Sequence, residues 1–275
     1  MTVRRVAQRV LTSSARWWRH RAVRSGRDGT HMLDRRGLLV LAPHPDDETF
    51  GCGAAIARAT AAGTPVTVVV ATDGRHSTSS VRVEPARLAE LRAAELRTAC
   101  RLLGVPERHV IQLGYEDGTL SRWSSAVTAD IEDLLVRHRP GVVMVPCMQD
   151  SHPDHQELHA AARRAVASVA PDTRMLAYPV WSWHEAPWFL GAAWRHRPRL
   201  LLWAVRHAAN GRLLRIPAGP HLAAKEAAVA AYVTQTTNFT GEESWSHLSA
   251  EFQAAFLQGA EVFVPVAGPA VRGDA

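Results

Sequence analysis

From residue 37 to about 180 the chain alternates unbroken apolar runs with amphipathic stretches. Residues 37–42 and 141–146 are continuous apolar runs, and residues 65–72 are β-branched through Val66, Thr67, Val68, Val69 and Val70. Such runs fit strands buried on both faces. Shorter strands are predicted at 109–113 and 174–180. Between them, residues 49–62 read as an alanine-rich helix ending at Gly63. Residues 84–103 carry Leu88, Leu91, Leu96, Ala99 and Leu103 at helical spacing and stop at Gly104. Residues 124–138 put Val127, Ile131, Leu134 and Leu135 on one face, and residues 153–169 form a further helix. This rhythm predicts an α/β fold: a Rossmann-like open, mainly parallel sheet with helices on both faces. Past Val180 the pattern degrades. Helical character returns at 221–233 and a last strand at 261–266, giving a C-terminal elaboration.

Composition adds boundaries. Residues 1–28 hold eight arginines and one aspartate, so residues 1–35 are expected to be a basic arm, helical or disordered. A single domain then spans 36–270, with a variable Trp- and Arg-rich insertion at 188–219. No run of 18 apolar residues predicts a membrane span, and the N-terminus lacks the apolar core of a secretory signal. Cys52, Cys100 and Cys147 are odd in number and widely spaced, which argues against a disulfide framework and for a reducing compartment. These features give a cytoplasmic expectation. The net charge of +6 suits an anionic membrane surface or acidic partner. No recognition motif accompanies it, so nucleic acid is not expected as a partner. Tryptophans beside arginines in the insertion also suit a peripheral membrane contact. No signal for an oligomeric state is present.

The chemistry concentrates after two of the strands. Pro43-His44-Pro45-Asp46-Asp47-Glu48 follows the first, and His152-Pro153-Asp154-His155 follows the fourth. In open α/β sheets the ligand crevice lies outside the carboxyl ends of the strands. His44 and Asp47, three apart in a tight turn, can converge on one point, with His155 as a third ligand. Three protein ligands and an open position are the pattern of a catalytic zinc site. Fe(II) or Co(II) would fit the same ligands. Asp46 should point elsewhere in the turn, which suits a base. His152, flanking a helix that starts with Pro153, suits a stabiliser of developing charge or a proton donor to the leaving amine. Asp154 could orient an imidazole. His159, four residues after His155, stays open as an alternative ligand, and Cys52 and Cys147 lie close enough to be weaker ones. Two histidines and a carboxylate also match a non-haem Fe(II) oxygenase, the alternative to a hydrolase.

On these two motifs the chain resembles the LmbE/PIG-L-type zinc-dependent N-acetylglucosaminyl deacetylases. The likeness runs on through Gly51-Cys52-Gly53, Arg92-Ala93-Ala94-Glu95, Leu113-Gly114-Tyr115-Glu116-Asp117-Gly118, Trp181-Ser182-Trp183-His184 and a late segment from Lys225-Glu226-Ala227-Ala228 to Thr234-Gln235, which departs mildly from the usual Ser-Gln ending. It implies His44, Asp47 and His155 as zinc ligands, Asp46 as general base and His152 as the group stabilising the tetrahedral intermediate. It also suggests that Arg92 and Asp117 contact sugar hydroxyls. Read without it, Arg92 is an exposed helix arginine and Asp117 a turn residue before Gly118. His184, near the tryptophans, is a candidate for the substrate pocket. The implied reaction removes the N-acetyl group from an N-acetylglucosamine-type sugar or small-molecule conjugate.

Overall fold

The computed structural model describes residues 15–33, 36–184 and 212–267. Residues 15–25 are helical (α1). There follow β1 (Arg27–Asp28), β2 (Leu38–Ala42), α2 (Asp47–Ala61), β3 (Val66–Thr72), α3 (Pro85–Leu102), β4 (Val110–Tyr115), α4 (Ser124–His138), β5 (Val142–Pro146), α5 (Pro153–Val169) and β6 (Arg174–Tyr178). The remainder is a single turn α6 (Trp181–His184), β7 (Leu214–Pro217), α7 (Leu222–Ala230), α8 (Val233–Thr236), α9 (Ala250–Phe256) and β8 (Ala260–Val266).

The strands form one sheet in the order β1-β7-β8-β6-β5-β2-β3-β4. Neighbours from β6 through β4 are parallel, and β8 runs antiparallel to both β6 and β7. Alternate residues of the central strands feed two cores. Leu38, Val40, Val66, Val68, Val142 and Met144 pack on the α2 and α3 side. Leu39, Leu41, Val69, Val143 and Val145 pack against α4 and α5. Burial on both faces is why these strands read as continuous apolar runs.

Two features depart from the sequence reading. β7 lies inside the expected insertion: Leu214 and Ile216 point inward while Arg215 and Pro217 are half-buried, and so short an arginine- and proline-containing run gives no strand signal. Residues 188–211 of that insertion lie outside the described residues. The described part of the basic arm is packed on the domain. Ala15, Trp18 and Ala22 are buried in the same core as β2, and Arg19 Nη1 donates to the carbonyls of Trp183 (3.0 Å) and His184 (3.2 Å).

Helix α2 is kinked at Cys52, whose φ of −141° is not helical. Gly51 permits the contact beneath it, since a Cβ there would lie 2.1 Å from the Tyr178 ring. The backbone N–H groups of Ala54 and Ala55 donate to the two carboxylate oxygens of Glu261, each at 2.8 Å. Lys225 Nζ donates to Glu261 and to the Phe50 carbonyl, both at 2.7 Å. A buried ion pair thus satisfies the groups the kink releases.

Candidate active site

β2 has β5 on one side and β3 on the other, so the chain reverses its direction of travel across the sheet there. A crevice opens at such a switch point. The turn after β2 and the loop after β5 meet in it, bringing His44, Asp46 and Asp47 beside His152 and His155.

The turn after β2 is held in an unusual shape. Asp46 has φ 130°, a conformation that is costly for a residue with a side chain and persists only where its surroundings impose it. Its N–H donates to Glu48 Oε2 (3.0 Å), and its carbonyl accepts from the N–H groups of Thr49 (3.0 Å) and Phe50 (2.9 Å). Glu48 is fully buried and accepts from the hydroxyls of Thr49 and Tyr232, each at 2.5 Å. Arg92 completes the clamp. Its Nη2 donates to the Pro45 carbonyl and to Asp46 Oδ2 (3.1 Å), and its Nη1 to the Gly74 carbonyl (3.1 Å). Gly74 stands at φ 66°, and a Cβ there would lie 2.4 Å from Arg92 Nη1. Arg92 is thus not an exposed helix arginine: it is 2% exposed and bound to the turn.

Two imidazoles converge on Asp47. Its Oδ2 lies 3.1 Å from His44 Nδ1 and 3.3 Å from His155 Nε2. The opposite ring nitrogens are held from behind. His44 Nε2 lies 3.1 Å from Asp117 Oδ1 and 3.3 Å from Asp154 Oδ2. His155 Nδ1 lies 3.0 Å from Asp150 Oδ2. Carboxylates behind imidazoles fix which nitrogen faces forward. Asp154 in turn accepts from the N–H groups of Gly118 (2.7 Å) and Leu120 (3.1 Å). His155 Nε2 is buried without a hydrogen-bond partner. An orphaned imidazole nitrogen facing a carboxylate and a second imidazole is a donor set that fits a divalent cation such as zinc. One ring nitrogen from each of His44, His152 and His155 lies within 4.8 Å of the others, and ligand atoms of His44, Asp117, His152 and Asp154 form a second cluster within the same span. His159 faces away, its Nδ1 donating to the Pro146 carbonyl (2.8 Å). Cys52 and Cys147 are buried and in neither cluster.

His152 caps α5: its Nδ1 accepts the N–H of Asp154 at 3.2 Å. The neutral ring therefore carries its proton on Nε2. Burial, with His44 and His155 nearby, lowers its pKa to about 4. Burial pushes Asp46 up to about 8 against the pull of Arg92, with Asp47 and Glu48 adding to the rise. Burial opposes ionisation of Asp47 too, but His155 and His44 hold it well below the usual carboxylate range. The crevice opens into a cavity of about 500 Å³, lined among others by Asp46, Arg92, Asp117, His152, Trp181 and Phe252.

His184 is not among the residues lining that cavity. Its ring packs on Phe252, with centroids 5.0 Å apart, beside the helix that carries Arg19. Asp150 and Glu48 are the structural partners that sequence reasoning missed. Asp150 sits two residues before His152 in a loop with no spacing signal. Glu48 was visible only as the end of the first motif. Gln235, Ser246 and His247 also line the cavity; Gln235 belongs to the Thr234-Gln235 stretch of the family likeness, while Ser246 and His247 carry no motif.

Buried histidines and carboxylates at the switch point of a parallel sheet define an α/β protein with a candidate metal centre. Comparison with known proteins narrows the class. The family model PIG-L, described as GlcNAc-PI de-N-acetylase, matches residues 39–166. A 1D-myo-inositol 2-acetamido-2-deoxy-alpha-D-glucopyranoside deacetylase 2 of Catenulispora acidiphila is 31% identical over 244 residues, covering 74% of this chain and 80% of the relative. The diacetylchitobiose deacetylase of Thermococcus kodakarensis is 31% identical over 126 residues, 45% of this chain. That match spans 46% of the relative, about half its length. The chain belongs to the PIG-L family. Among solved structures, the zinc-inhibited form of teicoplanin deacetylase Orf2 superposes with a TM-score of 0.60 at 18% identity, over 85% of this chain and 99% of that one. The N,N'-diacetylchitobiose deacetylase of Pyrococcus horikoshii gives a TM-score of 0.51 at 23% identity, over 77% and 80%. At those identities the likeness is one of fold. These relatives are deacetylases, and the oxygenase alternative gains nothing from them.

Proposed function

We propose that this protein is a metal-dependent hydrolase that removes the N-acetyl group from an N-acetylglucosamine-type sugar or sugar conjugate. The observation that carries this reading is the convergence of His44 Nδ1 and His155 Nε2 on Asp47 Oδ2, directly beside the separately held carboxylate of Asp46. His44, Asp47 and His155 would hold the metal, for which we favour Zn2+, with Fe2+ or Co2+ as other occupants of the same donors. A bound divalent cation supplies Lewis acidity, polarising a carbonyl and lowering the pKa of water toward ~7.

The chain's own groups do the rest. Asp46 in its ionised form, which gains population as pH rises through about 8, takes a proton from water as the water oxygen bonds to the acyl carbon. His152 donates from Nε2–H to the oxygen that gains negative charge. The proton on Asp46 passes to the departing nitrogen as the C–N bond breaks, leaving a carboxylate and a free amine. Asp117, at the cavity wall and already tied to His44, offers its second oxygen to the His76 N–H (3.1 Å) and a carboxylate edge to sugar hydroxyls. Arg92 acts through Asp46, since its guanidinium is committed to the turn. His184 has no part in this reading.

The test is acetate release from a panel of N-acetylglucosamine conjugates by metal-reconstituted protein, beside Asp46→Asn and His155→Ala. Asp46→Asn should keep its metal and lose roughly 10²–10⁴-fold in turnover. His155→Ala should lose both. Full activity in Asp46→Asn would remove Asp46 from the base role.

No helix among the described residues is long and apolar enough to cross a membrane. A cytoplasmic enzyme in peripheral contact with an anionic membrane fits the outward face of α1, where Arg16, Trp17, His20, Arg21 and Arg24 are exposed. Co-sedimentation with anionic vesicles at low salt tests this; absence of binding sinks it.

A further inference from the structure

The two walls of the cavity differ in chemistry, and the sheet order explains which wall is which. The candidate metal donors stand at the ends of β2 and β5, in the middle of the crevice. On one side, beyond β3 and β4, lie His76, Ser77, Asp117 and Gly118, a wall of polar groups. On the other side, beyond β6, lie Val180 and Trp181, joined by Phe50, Leu248 and Phe252. The rings of Trp181 and Phe252 are 5.4 Å apart, and those of Phe50 and Phe252 5.5 Å. Trp181, Phe252 and Phe50 thus form an apolar cluster on this side.

An amide substrate has two arms. The nitrogen arm, which carries the sugar, must lie next to the group that protonates it. Arg92 holds Asp46 toward the β3 side through the Gly74 and Pro45 carbonyls. Sugar hydroxyls on that side meet Asp117, His76 and Ser77. With the carbonyl carbon above His44 and Asp47, the substituent on the other side of the carbonyl faces Val180, Trp181 and Phe252. Phe50, Val180 and Phe252 are already buried against their neighbours, so the apolar surface open to an acyl chain is that of Trp181 and Leu248, and burying it is favourable.

Resting on the hydrolase reading, we propose that the apolar wall beyond β6 is an acyl subsite, and that the enzyme accepts N-acyl groups longer than acetyl, with Trp181 a specificity-determining residue. Each added methylene that reaches the wall is expected to raise kcat/KM by roughly three- to four-fold until the wall is covered.

The experiment measures kcat/KM for N-acetyl-, N-butyryl- and N-hexanoylglucosamine, and separately for N-acetylglucosamine carrying methyl or hexyl groups at the anomeric oxygen. Expected are a rise along the acyl series, no comparable rise along the glycoside series, and inhibition by free hexanoate well below the concentration needed with acetate. Trp181→Ala should remove most of the acyl-length gain, read within the variant as the ratio of kcat/KM for the N-hexanoyl to the N-acetyl substrate. Its metal content and melting curve, checked beside wild type, separate that effect from misfolding. A flat or falling acyl series with active acetyl hydrolysis overturns the subsite alone. A rise only with the hexyl glycoside assigns the wall to the aglycone and also overturns it. No hydrolysis of any conjugate overturns the hydrolase reading, and the subsite with it.

Discussion

Asp150 Oδ2 lies 3.0 Å from His155 Nδ1, and neither side chain is exposed. Asp150 also accepts from the N–H groups of Val180 (3.1 Å) and Ser182 (2.9 Å) and from the Ser182 hydroxyl (2.5 Å). A carboxylate so fully engaged cannot swing, so it pins the imidazole with Nε2 turned toward Asp47. Asp150→Asn should therefore weaken metal binding by roughly 10- to 100-fold, read by competition with a chromogenic chelator. Unchanged affinity would mean that packing alone orients the ring.

Arg92 holds three acceptors at once, two carbonyls and the Asp46 carboxylate. Arg92→Met should lower kcat far more than it raises KM, because it loosens the base rather than a sugar contact. Arg92→Lys should recover little, since an ammonium lacks the planar fork that spans these acceptors. A selective rise in KM would instead restore Arg92 to the sugar-binding role.

Metal uptake should release protons. Burial alone would depress His155, but the Asp47 charge and the hydrogen bond that His155 Nδ1–H donates to Asp150 raise its pKa to about 9. In metal-free protein the charged imidazole is therefore favoured on folding. That contribution is complete below the unfolded value of about 6.5 and is lost as pH rises through about 9. Urea midpoints of the metal-free protein should fall across that interval, while the loaded protein, whose imidazole is neutral, should not share this loss. Calorimetric heats of zinc binding near pH 7 should vary with the ionisation enthalpy of the buffer. Buffer-independent heats would contradict the assignment.

Lys225 and Glu261 support the kink in α2 from inside the core. Lys225→Met removes one partner of a buried pair and leaves the Phe50 carbonyl without its donor. The expected cost is about 3–5 kcal/mol of unfolding free energy, measured by denaturant titration. A cost below about 1 kcal/mol would show the pair to be dispensable.

Much of the fold was legible because local signals agreed with it. The helices Ser124–His138 and Pro153–Val169 have the limits that apolar spacing and Pro153 predict. α2 begins at Asp47 rather than at residue 49, since the strained turn lets that carboxylate residue open the helix. β7 escaped because four residues with an arginine and a proline carry no strand pattern, and only β8 beside it makes them a strand. The packing of α1 escaped because arginines dominate its sequence while three residues, Ala15, Trp18 and Ala22, decide where it lies. The motif residues were legible from strand-end position, whereas Asp150 contributes only through a tertiary contact that no spacing announces.

The backbone at Asp46 carries a further consequence. At φ 130° the chain there is shaped for glycine, the one residue without a Cβ to resist it. Asp46→Gly should relieve roughly 1–3 kcal/mol of strain, yet it would leave the buried Arg92 guanidinium without the carboxylate it pairs with, at a cost of about 3–5 kcal/mol. The glycine variant should therefore be inactive and no hardier than wild type, so stability selection alone keeps the strained turn as long as Arg92 stays buried behind it.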